Sequence, residues 1–165
     1  MMSRKQMDSP VGRLTLVADD TSLVAVLWPN DSPARVKLGT MIEDRDHPIL
    51  LKAERQLTEY FKGERTVFDL PLHLHGTRFQ KQVWEQLLHI PYGQTCSYGH
   101  LAKAIGHGSA SRAVGLANRT NPISIIVPCH RVIGASGKLT GYAGGLETKA
   151  RLLELEGALK QAALL

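Results

Sequence analysis

The hydrophobic pattern of this chain changes period partway along, and that change limits the folds open to it. Residues 12–28 alternate as strands do, whereas from residue 77 onward apolar side chains recur every third or fourth position, as on helices. Gly12-Arg13-Leu14-Thr15-Leu16-Val17-Ala18 and Ser22-Leu23-Val24-Ala25-Val26-Leu27-Trp28 flank the turn-forming Asp19-Asp20-Thr21, which predicts a β-hairpin. Between His47-Pro48 and Gly63, residues Ile49, Leu50, Ala53, Leu57, Tyr60 and Phe61 fall on one helical face, and Gly63 stands where a C-terminal cap glycine belongs. Thr66 to Leu70 reads as another short strand, and Pro71 to Gly76 as a linker. The expected organisation is therefore a small α/β domain over 1–76 followed by a mostly α domain over 77–165.

Within the second half, Phe79, Val83, Leu87 and Ile90 form one apolar stripe that Pro91-Tyr92-Gly93 ends. Ser97 is placed to cap the next helix, whose inner face is Tyr98, Leu101, Ala102 and Ile105. After the tight Gly106-His107-Gly108 turn comes a third helix, over 109–118, giving a helix-turn-helix pattern. That third helix is built almost wholly of small residues, with Arg112 its one long polar side chain. Such a helix suits tight packing inside a domain, and equally close approach to a DNA groove.

Charge favours the second possibility. Residues 77–165 carry ten Lys and Arg against four acids, while residues 1–76 carry ten against eleven. A basic half beside a near-neutral one fits a polyanionic partner facing the second half. No apolar run approaches the ~20 residues of a membrane span. The start, Met1 to Gln6, has no apolar stretch behind its charges, so neither membrane nor secretory signal is expected. Cys96 and Cys129 are too few for a disulfide framework and fit a reducing cytoplasmic setting beside the nucleoid.

The chemistry centres on Cys129. Ile123-Ser124-Ile125-Ile126-Val127 reads as a buried strand, ended by Pro128, that delivers Cys129-His130-Arg131. A cysteine beside His and Arg sits in an electropositive setting that favours its thiolate; a lone free cysteine is otherwise a small buried hydrophobe. Neighbours on an extended chain point opposite ways, so His130 would reach Cys129 only through a bent backbone or a bridging water. Glu156, near the end of a helix expected over 146–156, opposes the helix dipole; it is either a solvated acid or a carboxylate that fixes the tautomer of His130. A regulator without chemistry would explain the basic helix-turn-helix but not Pro128-Cys129-His130-Arg131. A cysteine hydrolase would explain Cys129, His130 and Glu156 but not the basic half.

Ile126-Val127-Pro128-Cys129-His130-Arg131-Val132-Ile133-Gly134 resembles the active-site motif of the O-6-methylguanine–DNA methyltransferases. The resemblance runs from Phe79 to Glu156 through Ile90-Pro91-Tyr92-Gly93, Ser97-Tyr98, Ala113-Val114-Gly115, Asn121-Pro122 and Gly141-Tyr142-Ala143-Gly144-Gly145. It implies a ribonuclease H-like first domain and a winged helix-turn-helix second domain. It implies direct-reversal repair of double-stranded DNA, with one irreversible transfer of a methyl or other alkyl group from guanine O-6 to Cys129; O-4 of thymine stays open as a second substrate. By the same resemblance His130 takes the thiol proton through a water, Glu156 orients His130, and Asn121 ties the recognition helix to the active-site strand. Tyr98 acts on the target phosphate and on guanine N3, Arg112 fills the space left by a flipped base, Gly115 lies on the recognition helix, and Tyr142 and Ala143 line the alkylguanine pocket. Some relatives carry serine at the position of Ala143. Others hold zinc through N-terminal Cys and His; residues 1–95 contain no cysteine, so no metal and no cofactor is expected. A monomer is expected, with cooperative binding along DNA left open.

Overall fold

The computed structural model describes residues 1–158; the remainder of the expected second domain, with Lys160, lies outside the described residues. Four strands form the first sheet: β1 (Met2–Met7), β2 (Leu14–Ala18), β3 (Leu23–Leu27) and β4 (Met41–Glu43). Their order is β3-β2-β1-β4, with β4 parallel to β1 and the other pairs antiparallel. The expected hairpin is β2–β3. Leu14, Leu16 and Ala18 point from β2 into the main core, while Val17, on the opposite face, joins a smaller cluster with Val24 and Ala25.

Helix α1 (Pro48–Phe61) covers the sheet with Leu50, Ala53, Leu57 and Tyr60. It starts where Pro48 occupies the first turn and His47 Nδ1 accepts from the Ile49 amide at 3.1 Å. It ends in a Schellman turn: the Gly63 amide donates to Tyr60 O at 3.0 Å, the Glu64 amide to Glu59 O at 2.9 Å, and Gly63 has φ 74°.

Thr66 to Leu70 is not a strand. The buried side chain of Gln56 takes the place of a strand partner, donating to Asp69 O and accepting from the Asp69 amide, both at 2.9 Å. Pairing begins only at the linker, where the Leu23 amide donates to Pro71 O (2.8 Å) and the His73 amide to Leu23 O (3.0 Å). The linker is thus an extended strap along β3. It passes to α2 (Arg78–Leu87) through Gly76, where an added Cβ would stand 2.6 Å from the Trp84 ring. Thr77 and Gln80 form a reciprocal capping box at the start of α2.

Beyond α2 lie β5 (Cys96–Ser97), α3 (Tyr98–Ala104), α4 (Ser111–Arg119), β6 (Val132–Ile133) and α5 (Leu146–Leu155). Helices α3 and α4 are the expected pair, Ser97 capping α3 by accepting from the His100 amide at 3.0 Å. The parallel β5–β6 pair is the small wing. One buried cluster runs from Leu16 and Leu50 through Trp84 to Val127 and Leu152, so both halves share a continuous core. Among the described residues no helix is long and apolar enough to cross a membrane.

The expected strand over Ile123 to Val127 is also absent, although every residue from Asn121 to Val132 is buried. Ile123 makes a single bridge to Val26, and the chain then coils back, the Val127 amide donating to Ile123 O at 2.9 Å. Asn121 staples the coil at both ends: its Nδ2 donates to Val127 O (2.8 Å) and its Oδ1 accepts from the Ile123 amide (3.0 Å). Ile125 pays for this shape with a φ of 73°, a left-handed conformation that costs a β-branched residue about 1–3 kcal/mol.

Candidate functional site

Cys129 opens a single 3₁₀ turn, Cys129–Arg131, instead of ending a strand. His130 and Arg131 both reach Glu156. His130 Nε2 is 2.7 Å from Glu156 Oε2, Arg131 Nε donates to Oε1 at 2.7 Å, and Arg131 Nη2 donates to Oε2 at 3.1 Å. The Tyr60 hydroxyl, from α1, donates to Oε2 at 2.6 Å. Glu156 is therefore no solvated acid: its side chain is fully buried. Burial acts to raise its pKa, but hydrogen bonds from His130, Arg131 and Tyr60 outweigh it and hold the carboxyl at about 2.

An ionised Glu156 can only accept, so the Nε2 of His130 carries a proton. Burial also pushes His130 below its ordinary value, against the pull of Glu156, which keeps the ring neutral. The tautomer follows: Nδ1 keeps its lone pair, and it is buried without a hydrogen-bond partner among the described residues. The geometry makes His130 a proton acceptor at Nδ1, backed by a carboxylate at Nε2.

The expectation that His130 and Arg131 lower the pKa of Cys129 needs correction, because both turn to Glu156. Cys129 is 3% exposed, and burial pushes its thiol up. The groups that favour its anion are Asn121, the Arg35 guanidinium, the Tyr142 hydroxyl and the Lys149 ammonium, all distant in sequence from Cys129 except Asn121. The Tyr142 hydroxyl is buried and, like His130 Nδ1, has no partner among the described residues. Asn118, near the end of α4, donates from Nδ2 to Cys129 O at 3.3 Å, so α4 and the Cys129 turn are joined directly.

Arg35 and Lys149 were not found by sequence reasoning. Arg35 lies in the irregular segment between β3 and β4, held by Asp31 (Nη2–Oδ2 2.6 Å), and its Nη1 donates to Arg119 O (3.0 Å) and Asn121 O (2.9 Å). Lys149 sits on the inner face of α5, fully buried, donating to Thr140 O at 3.0 Å. A signal for it existed: it stands three residues before Leu152 and four before Leu153, on the apolar face.

Burial pushes Lys149 from 10.5 down to about 8, partly opposed by Cys129. A cation depressed in the folded state costs stability below that pKa, and the cost is relieved as pH rises from about 8 to 10.5. Lys149→Met should therefore raise the unfolding free energy at pH 7 by about 3 kcal/mol. Denaturant titrations should show this gain shrinking between pH 8 and 10.5.

Trp28 is a third contribution from the first half. Its Nε1 donates to Ser124 Oγ at 3.2 Å, and its ring meets Tyr142 edge-on at 5.6 Å. It lies so close to the glycine loop that a Cβ on Gly144 would stand 2.8 Å from it. Ala143, between Tyr142 and Gly144, is exposed. An open cleft of about 450 Å³ is lined by Tyr98, Arg112, Gly115, Arg119, Thr140 and Gly141 among others. Tyr98 packs against Gly115 and accepts from Thr140 Oγ1 at 3.1 Å. Arg112, Arg119 and Leu116 project from α4 to solvent. The structure thus buries Cys129, His130, Glu156 and Asn121, sets half-buried Tyr142 beside Cys129, and places Tyr98, Arg112 and Gly115 on the cleft.

Known proteins share this arrangement of chain. The ribonuclease-like domain of 6-O-methylguanine DNA methyltransferase matches residues 2–74, and the DNA binding domain of 6-O-methylguanine DNA methyltransferase matches residues 78–158. A methylated-DNA--protein-cysteine methyltransferase of Methanosarcina acetivorans is 50% identical, over 92% of this chain and 96% of its own. One from Mycobacterium tuberculosis is 51% identical, over 94% of this chain and 93% of its own. The crystal structure of Mycobacterium tuberculosis OGT in complex with DNA superposes with a TM-score of 0.88 at 49% identity, covering 98% of this chain and 97% of that one. With two domains matched in order and half the residues shared along nearly the whole length, the chain belongs to the 6-O-methylguanine DNA methyltransferase family.

Proposed function

We propose that this chain is a methylated-DNA–protein-cysteine methyltransferase that repairs DNA by direct reversal. It takes the alkyl group from O-6 of guanine onto Cys129, once and irreversibly. The observation that carries the reading is the orientation of His130: Glu156 holds its Nε2–H, which leaves Nδ1 as a buried base in the turn that presents the thiol. The Cys129 proton passes through a bridging water to that nitrogen, the sulfur forms a bond to the alkyl carbon, and the carbon–O-6 bond breaks in line. Tyr98 supplies a proton to the departing guanine at N3. Protonation of His130 turns a neutral ring into a cation beside an anion, and Glu156 stabilises the product of that transfer.

A thioether has no low-barrier route back to thiol, and nothing in the cluster attacks it, so one molecule repairs one lesion. The base is presented flipped, because O-6 of a stacked guanine is out of reach of a thiol that is 3% exposed. Helix α4 with its small residues approaches the minor groove; Arg112 enters the stack, while Tyr142 and Ala143 flank the extruded base. The second half, 77–165, binds DNA and carries the reacting groups; the first, 1–76, completes the wall. The partner is double-stranded DNA, bound by a monomer, with cooperative binding along the duplex settled by the stoichiometry of titrations. The setting is the cytoplasm beside the nucleoid.

Intact-protein mass after incubation with duplex DNA containing O-6-methylguanine tests the reading. One added methylene per molecule is expected, with repair stopping at one equivalent. No mass gain would overturn it, and repeated turnover would mark a hydrolase. Arg112→Ala should slow repair of duplex DNA by about tenfold or more, since filling a vacated stack repays a few kcal/mol. Reaction with free O-6-benzylguanine should stay within about twofold; equal losses on both substrates would remove Arg112 from base flipping.

A further inference from the structure

Thr140 lies outside the buried cluster, on the rim of the cleft, and its neighbours fix it there. It follows a tight turn in which the Gly137 amide donates to Gly134 O (2.9 Å) and the Gly134 amide to Lys138 O (2.8 Å), with Gly137 at φ 83°. Its methyl Cγ2 lies 3.7 Å from the place that a Cβ would take on Gly134. Its carbonyl accepts from Lys149 Nζ at 3.0 Å, and Lys149 is fully buried on α5. Its hydroxyl donates to the Tyr98 phenol oxygen at 3.1 Å. A β-branched side chain has few rotamers, so seating the methyl against the turn settles where the hydroxyl points. The Tyr98 ring is held as well: a Cβ on Gly115 would stand 3.9 Å from its Cδ1 and Cε1, and the Lys149 ammonium is 5.9 Å from its centroid. One buried lysine thus braces both partners of the bond.

A phenol oxygen accepts as well as donates, and its O–H stays near the ring plane on one side or the other. Donation from Thr140 occupies one side, which turns the Tyr98 proton to the opposite side and makes that O–H a stronger donor. We propose that Thr140 is a positioning residue for alkyl transfer, aiming the Tyr98 proton at the departing guanine; this rests on the role proposed above for Tyr98 at guanine N3. As the carbon–O-6 bond breaks, its electron pair spreads over the purine to N3, the Tyr98 O–H bond breaks, and N3–H forms. The Thr140 hydroxyl keeps its own proton and now donates to a phenolate, a stronger bond than to a neutral phenol. An interaction that strengthens along the reaction lowers the barrier, which one of constant strength does not. Proton balance is kept, because the proton left on His130 returns through solvent to the phenolate. Lys149 acts one step further back, as the anchor of the Thr140 carbonyl.

The test compares single-turnover alkyl transfer from O-6-methylguanine in saturating duplex DNA by the full chain and its variants. Thr140→Val replaces the hydroxyl with a methyl of the same shape and should slow transfer by about five- to tenfold. DNA affinity and melting temperature should match the parent, because the side chain is exposed. Thr140→Ser restores the donor and should recover most of the parent rate. In a Tyr98→Phe background the Thr140→Val change should cost less than about twofold, since the phenol that it serves is gone. The parent rate in Thr140→Val, no recovery in Thr140→Ser, or equal losses in the two backgrounds would each overturn the assignment while leaving alkyl transfer to Cys129 intact. A parent chain that transfers no alkyl group would overturn that underlying reading, and the assignment with it.

Discussion

Cys129→Ser should abolish the mass gain on alkylated DNA while leaving DNA binding and fold in place. The hydroxyl is far less acidic than a thiol, and a neutral imidazole is too weak a base to make it a nucleophile without further help. Burial adds to this, since the same desolvation that pushes the thiol up acts on any anion at that position. Stability should change by about 1 kcal/mol, because Asn121 and Tyr142 stand ready as partners for the smaller hydroxyl. Mass spectrometry and fluorescence anisotropy on the same sample separate the outcomes. A mass gain in the serine variant would place the acceptor on another residue, with Cys96 the one other thiol in the chain.

Glu156→Gln should have two large effects from one lost charge. The amide leaves the buried Arg131 guanidinium facing a neutral group and offers one acceptor oxygen where Tyr60, His130 and Arg131 all donate. Breaking a buried pair of this kind costs about 3–5 kcal/mol. The pH dependence gives an independent reading. A carboxyl held at about 2 when folded, against 4.5 when free, contributes stability that is fully present above pH 4.5 and lost as pH falls toward 2. That contribution is about 3 kcal/mol, and the variant should lack that acid-sensitive step. Alkyl transfer should also slow by about a hundredfold or more, since His130 loses the anion that stabilises its protonated form. DNA affinity should stay within about twofold, as a fully buried side chain touches no DNA. If binding fell and the rate did not, Glu156 would have no part in proton transfer.

What the sequence revealed depended on whether local chemistry or tertiary contact decides each element. Caps and periods are local, so α1 with Gly63, α3 with Ser97, and the β2–β3 hairpin were legible. Strand β1 was not: Arg4, Lys5 and Gln6 interrupt its alternation, yet it pairs on both edges, and Lys5 reaches Glu54 of α1 at 3.7 Å. The run from Ile123 to Val127 was read as buried, and it is; an apolar run cannot tell a strand from a coil stapled by one asparagine. The residues around Cys129 show the same division. Cys129, His130, Asn121 and Glu156 were visible through motif, whereas Arg35 lies in a segment without period and Trp28 looked like the end of a strand. Their importance comes from a fold that sets them against residues about a hundred positions away.

The contact between Trp28 and Gly144 bears on how such a protein can be altered. A protein engineer seeking new leaving groups or bulkier alkyl adducts would ordinarily diversify the loop that touches them. Here the loop is backed by an indole from a part of the chain that carries no reacting group, with no space for even one carbon between them. Its freedom is therefore set from behind. Trimming Trp28 to a smaller side chain would open a hollow under Tyr142 and let the loop retreat, so the room around the loop is tunable from the first half of the chain.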